Sequence, residues 1–179
     1  MFIECTEMPG SGILQLTGQL GEVMKESASI AMSWVKSNAF DLGLTDSATS
    51  TLVKDRDIHV HFPVGAIPKD GPSAGVALAV GLVSLLSHRP VDPKIAMTGE
   101  LSLRGRVLRI GGLKHKVLAA YRAGIEKVLL PKSNEMDLKD IPAEVKQAVQ
   151  FVPVSTMRNV LREIWPDTFK EHIGIESRL

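Results

Sequence analysis

Pro68-Lys69-Asp70-Gly71-Pro72-Ser73-Ala74-Gly75 runs without a break into Val76-Ala77-Leu78-Ala79-Val80-Gly81-Leu82-Val83-Ser84-Leu85-Leu86-Ser87. The first half is a loop, in which Gly71 permits a tight turn and Pro72 stiffens the exit. The second half predicts a helix of small and apolar residues over 73–87, stopped before Pro90. Its nearly apolar run, 74–86, is shorter than the ~20 residues that cross a membrane, so it reads as a buried core helix. Upstream, Ile58, Val60 and Phe62 alternate with Asp57, His59 and His61. That period of two predicts a half-buried strand. Downstream, 96–99 and 106–110 read as strands around a turn at Arg104-Gly105. Strands and helices are interleaved, which sets the class as α+β: a compact mixed α/β domain.

The remainder fits this frame. Residues 2–5 and 13–17 read as strands joined by the turn Pro9-Gly10-Ser11-Gly12. Apolar residues at 20, 23, 24, 28, 31, 34 and 35 predict a helix over 20–39, whose stripe is core packing. Residues 42–54 are rich in Ser and Thr and read as a surface loop tolerant of length change. Gly111-Gly112 leads into a helix over 113–123, closed by Gly124. Strands are predicted at 127–130 and 150–154, and short helices at 134–140 and 156–165. One domain over 1–165 and a tail over 166–179 result. The 179 residues are 44% hydrophobic and 23% charged, which excludes general disorder. A net charge of +1 and 4% aromatics argue against nucleic acid as a partner. A single cysteine excludes an internal disulfide and any multi-cysteine zinc site. The N-terminal residues lack the basic and apolar regions of a signal peptide, and no membrane span is evident.

Ser73 falls at the start of the core helix, where unpaired N–H groups favour developing negative charge. It is therefore a candidate nucleophile, with the favoured N-cap role of serine as the competing reading. No Gly-x-Ser-x-Gly elbow is present. A lysine can serve as the base only when neutral, which requires burial. Helical spacing over 113–120 puts Leu113, Val117 and Ala120 at the centre of the apolar face. Lys116 lies on the edge of that face and Lys114 further round, so geometry favours Lys116. The competing reading is that both lysines extend into solvent.

Asp70-Gly71-Pro72-Ser73-Ala74-Gly75, Ala96-Met97-Thr98-Gly99-Glu100, Leu103-Arg104-Gly105 and Gly111-Gly112-Leu113-Lys114-His115-Lys116 together resemble the proteolytic domain of Lon proteases, in order and in spacing. The resemblance runs from Phe2 to Trp165. It implies a serine endopeptidase with a Ser73–Lys116 dyad, Ser73 as nucleophile and Lys116 as general base. Thr98 matches a threonine that hydrogen-bonds the lysine. Asp70 matches a carboxylate that shapes the site, and Glu4 aligns with a strand glutamate near the dyad. It also implies small sheets with packed helices, related to a ribosomal-protein domain fold, and a substrate lying extended beside 63–72. Full-length relatives are ATP-dependent homohexamers that degrade unfolded or damaged proteins. No Gly-x-x-x-x-Gly-Lys-Ser/Thr occurs here, so this domain implies no cofactor of its own, and ATP and Mg are expected in a missing ATPase module. Relatives carry another strand before Phe2, so the chain reads as a fragment.

His59 and His61 have metal-ligand spacing but no evident third ligand, and no metal is expected. Cys5 lacks a catalytic signature and reads as a strand residue. Arg104, Arg106 and Arg109 read as solvated or at subunit contacts. Two rival functions are a small-molecule kinase of related fold, from the Gly71–Gly75 loop, and a catalytically silent scaffold. Finally, Ser177-Arg178-Leu179 differs from the peroxisomal Ser-Lys-Leu signal by one basic residue for another. Lon relatives include a peroxisomal branch, so the expected place is the peroxisome matrix, with its import receptor as a partner.

Overall fold

A computed structural model describes residues 1–63 and 69–167. β1 (Glu4–Pro9) and β2 (Leu14–Thr17) follow one another across a turn, yet they do not pair. β3 (Arg56–His61) lies between them, antiparallel to β1 and parallel to β2. A parallel neighbour needs a crossover, and α1 (Glu22–Ser37) provides it. β1 starts two residues later than the predicted 2–5 and runs on to Pro9, leaving Phe2 exposed. Its last residue can be proline because β1 is an edge strand.

Asp57 fixes the turn between β1 and β2. Its Oδ1 accepts the N–H groups of Ser11, Gly12 and Ile13 at 2.8, 3.0 and 2.8 Å. These donors, Ile13 foremost, hold the carboxyl below the usual carboxylate range. Gly10 leaves room for that carboxyl, since a Cβ there would lie 2.1 Å from Asp57 Cγ.

The alternation read over 57–62 is realised: Ile58, Val60 and Phe62 are buried. α1 buries Met24, Ala28, Ala31, Trp34 and Val35 against them. Val23, counted in the same stripe, is exposed, because it lies about 100° round the helix from Met24. The stretch 42–54 has no regular structure, but it is not free of the core. Val53 is buried, and Leu42, Leu44 and Leu52 pack against the same cluster. Changing its length would pull on those anchors, which corrects the reading of a freely variable loop.

α2 (Gly75–Ser87) crosses the middle of the domain, packed on α1 and β1. Val76, Leu78, Ala79, Val80, Leu82 and Val83 are all buried, as expected of a helix apolar on every side. A second sheet follows, with β4 (Ile95–Met97), β7 (Lys127–Pro131) and β8 (Gln150–Val154) parallel in the order β4-β7-β8. Between β4 and β7 come the short hairpin β5 (Glu100–Leu101) and β6 (Val107–Leu108), then α3 (Leu113–Arg122). β5 was not foreseen, since two residues carry no periodicity. A 3₁₀ helix, Lys132–Asp140, and α4 (Ala143–Ala148) connect β7 to β8. α4 also escaped the sequence reading, being under two turns long. α5 (Met157–Ile164) closes the described chain behind a capping box of Thr156 and Asn159.

β7 separates two cores. Leu129 points into the cluster around α1 and α2. Val128 and Leu130 point the other way, onto Ile110, Leu113, Val117, Ile141, Val145 and Val149. The period of two in one strand thus joins the two halves.

Candidate active site

Ser73 does not cap the core helix. Gly71, at φ +107, turns the chain, and Pro72–Ala74 forms one turn of 3₁₀ helix before α2 begins at Gly75. No side chain caps either helix. The Ser73 hydroxyl instead meets Lys116, whose Nζ donates to Ser73 Oγ at 3.1 Å. The competing N-cap reading therefore fails at this position. In the 3₁₀ turn Pro72 has no N–H, so the first N–H is that of Ser73, which finds no backbone acceptor among the described residues.

The backbone around Ser73 is held closely. Its carbonyl accepts the Gly99 N–H at 2.9 Å and the Thr98 hydroxyl at 3.1 Å. The Gly99 carbonyl in turn accepts the Val76 N–H at 3.1 Å. Thr98 is itself tied to β7, its N–H donating to the Leu129 carbonyl at 3.0 Å. Two glycines allow this closeness. A Cβ on Gly75 would stand 2.9 Å from Leu101 N, and one on Gly99 would stand 2.7 Å from Val107 Cγ1 and 2.8 Å from Val76 Cγ2. Thr98 is buried at the site, but its hydrogen bond goes to the Ser73 carbonyl rather than to the lysine that the resemblance implies. It anchors the serine main chain.

Lys116 is exposed, contrary to the burial that a neutral lysine requires. The cause is its place on α3. Leu113 and Val117 face the second core, and Lys116 projects from the rim of that face across to Ser73. Lys114 is also exposed, and no hydrogen bond ties it to Ser73 among the described residues.

Asp70 acts on a different element. Its Oδ1 accepts the Met24 N–H at 3.1 Å and the Gly71 N–H at 2.9 Å. The N-cap of α1 is Gly21, which has no side chain to offer, and a Cβ there would lie 2.4 Å from Asp70 Cγ. Asp70 therefore caps α1 from outside and ties it to the turn before Ser73. Glu4 stands exposed on β1, opposite His61 in the ladder. No hydrogen bond or ion pair links it to Ser73 or Lys116 among the described residues, so the structure leaves it apart from the dyad.

His59 and His61 share one partner: Thr17 Oγ1 lies 2.9 Å from His59 Nε2 and 2.7 Å from His61 Nδ1. Among the described residues no group of three or more His, Cys, Asp or Glu is placed to hold a metal. Cys5 is partly buried in β1 beside Gly81 of α2, and burial pushes its thiol up to about 11. That disfavours the thiolate, the reactive form. Arg104, Arg106 and Arg109 are all exposed, as read from the sequence, and Arg109 in addition pairs with Asp137 at 2.8 Å. No helix among the described residues is long and apolar enough to cross a membrane. Residues 64–68, within the segment expected to flank the substrate, and Ser177-Arg178-Leu179 lie outside the described residues.

The family model of the Lon protease C-terminal proteolytic domain matches residues 1–166. A Lon protease of Methanosarcina barkeri is 58% identical over 163 residues, covering 91% of this chain and 20% of that protein. The peroxisomal Lon protease homolog 2 of Xenopus laevis is 53% identical over 170 residues, covering 94% of this chain and 20% of its own. That of Oryza sativa subsp. indica is 53% identical over 160 residues, 89% of this chain and 18% of its own. The chain thus spans about a fifth of the length of these relatives. The matches support neither the kinase nor the scaffold reading. With this extent of match, the chain belongs to the Lon protease family and corresponds to its C-terminal proteolytic domain.

Proposed function

We propose that this domain hydrolyses peptide bonds by acyl transfer through Ser73 and Lys116. The observation that carries the reading is the 3.1 Å contact of Lys116 Nζ with Ser73 Oγ, made by a serine hydroxyl that no helix end uses. In its neutral form Lys116 takes the Ser73 proton as Oγ attacks the scissile carbonyl. The Ser73 N–H, first in its turn, is available to the oxyanion. The lysine then passes its proton to the departing amine, and water drawn through the same base hydrolyses the acyl-enzyme. An extended substrate lying over the site would cover the exposed Lys116. Thr98 and Asp70 support the site as anchors of the serine backbone, while Glu4 takes no direct part. The test is peptide cleavage by Ser73→Ala and Lys116→Ala in the full-length protein, with the wild-type rate measured against pH. Both variants should lose activity, Lys114→Ala should be much milder, and the wild-type rate should climb toward alkaline pH. Full activity in either dyad variant refutes the mechanism.

Wider features rest on the family resemblance. The substrates are unfolded or damaged proteins, the working assembly is a homohexamer, and ATP with Mg acts in an ATPase module rather than at Ser73. We place the protein in the peroxisome matrix, on the names of the relatives from Xenopus laevis and Oryza sativa. Ser177-Arg178-Leu179, a tripeptide of the peroxisomal kind, would then engage the import receptor. Residues 166–179 fused to a fluorescent protein should give a punctate signal in eukaryotic cells, and a diffuse signal would reject that placement.

A further inference from the structure

Lys116 is exposed and joined to its helix by four rotatable bonds, so its own surroundings do little to aim it at Ser73. Its position depends on where α3 starts. The start is a glycine pair: Gly111 and Gly112 have no atom within 4 Å of a built Cβ, and Gly112 takes φ +67. Where a side chain would stand on either glycine, the described residues leave open space. The residue just before it, by contrast, is held at both main-chain groups. Asn134 Oδ1 accepts the Ile110 N–H at 3.0 Å, and Asn134 Nδ2 donates to the Ile110 carbonyl at 2.9 Å. Asn134 is fully buried, at 0% exposure, within a segment otherwise rich in charge. A single amide side chain here does what a neighbouring strand would do.

The amide is itself oriented. Asn134 Nδ2 also donates to Asp137 Oδ2 at 2.7 Å, and both Asp137 oxygens accept from one Arg109 nitrogen at 2.8 and 2.9 Å. Arg109 reaches back to the Ser133 carbonyl as well. The network closes on itself: Arg109 and Ile110 from the approach to α3, Ser133, Asn134 and Asp137 from the 3₁₀ helix after β7. β7 also holds the other half of the site, through the Thr98 N–H on Leu129 and the Thr98 and Gly99 donors on the Ser73 carbonyl. Asn134 lies five positions after Leu129. One strand therefore sets both the serine and the start of the lysine helix.

We propose that Asn134, Asp137 and Arg109 are positioning residues for Lys116, clamping Ile110 so that α3 delivers the amine to Ser73. The inference rests on the Ser73–Lys116 reading given above. None of the three touches the dyad, so they act through the placement of α3. A misplacement of about 1 Å at a reacting group lowers the rate by as much as ~100-fold.

The experiment uses the full-length protein with four variants. Asp137→Asn is the main one, because Asp137 keeps about a third of its side chain exposed (32%) and its loss should leave the fold intact. Asn134→Asp is isosteric and removes the donor to the Ile110 carbonyl. Asp137→Glu tests rescue, and Lys116→Ala is the control for the dyad itself. The expected result for Asp137→Asn and Asn134→Asp is a 10- to 100-fold fall in kcat with KM within about twofold. Labelling of Ser73 by a small fluorophosphonate should slow in parallel, since that reaction needs the base but no substrate site. Asp137→Glu should recover most of both rates. Wild-type kcat and labelling in Asp137→Asn, with Lys116→Ala inactive, would overturn the positioning role and leave the dyad standing. An equal fall through KM, with labelling unchanged, would overturn it too. An active Lys116→Ala would bring down the dyad and this inference together.

Discussion

Gly99→Ala probes the closest packing at the site. The added methyl would stand 2.7 Å from Val107 Cγ1 and 2.8 Å from Val76 Cγ2, where real contacts begin near 3.4 Å. Neither valine can swing aside, because both are buried and β-branched side chains are stiff at χ1. Overpacking of this kind costs about 1–3 kcal/mol. For a chain of this size that is a fall in Tm of roughly 2–4 °C per kcal/mol, so ~5 °C is expected. The same shift moves the Gly99 N–H away from the Ser73 carbonyl it holds at 2.9 Å. Activity should then fall more than the stability loss explains, because the protein stays folded at the assay temperature. Thermal unfolding and peptide-cleavage kinetics on the one variant separate the two effects. A Gly99→Ala protein with unchanged Tm and unchanged kcat would refute the claim that this glycine sets the serine backbone.

Two further perturbations follow from anchors outside the dyad. Asp57 has a carboxyl held below the usual range by three N–H donors, so its contribution is present above the ordinary carboxylate range and is lost as pH falls through its lowered folded-state value. Asp57→Asn should therefore lower Tm at neutral pH, with the gap to wild type closing on acidification; a gap that does not depend on pH would contradict this. Asp70→Ala removes the external cap of α1 and should cost about 1 kcal/mol, read by urea unfolding. Asp70→Asn, which keeps an acceptor oxygen, should retain most of the stability and the activity, and an inactive but stable Asp70→Asn would point to a chemical role instead.

What the sequence discloses here divides by range. Ser73 and Lys116 became candidates through local signals, a Gly-Pro turn into an apolar helix and a lysine on the edge of a helical face, but those left other readings open, and the resemblance to Lon proteases joined the two as a dyad. The strand over 57–62 and the stripe of α1 are legible for the same reason, as periodicity acts between near neighbours. Asp70 was marked as a site residue, yet its bond to Met24, 46 positions away, redefines it as a cap for another helix. Asp57 was read only as a polar strand residue, although it organises a turn more than 40 positions away. Arg109 is exposed, as read, but its pairing with Asp137 was not legible because that partner lies 28 positions on. Asn134 had no signal at all, since an asparagine in a charged segment ordinarily faces water. Its burial becomes intelligible only when β7 places it against Ile110.

The dyad pair shows why such long-range groups matter to a site of this type. A serine–histidine pair has a short, flat base with two fixed nitrogens, whereas a lysine amine sits at the end of a flexible stem. Aiming it by packing the stem would need burial, and Lys116 is exposed. The remaining way to fix the amine is to fix the two backbones from which serine and lysine project. Ser73 is fixed through Thr98 and Gly99, and the approach to α3 through Asn134. One tie ends on β7 and the other on the 3₁₀ helix that continues directly from it; Leu129 of β7 is fully buried, and the strand's alternating side chains fill both cores. On the proposed Ser73–Lys116 reading, the two cores are thus part of the catalytic geometry as well as of the stability. A cavity opened at Leu129 should misalign the site before it unfolds the domain, because the dyad depends on the register of that strand at both ends.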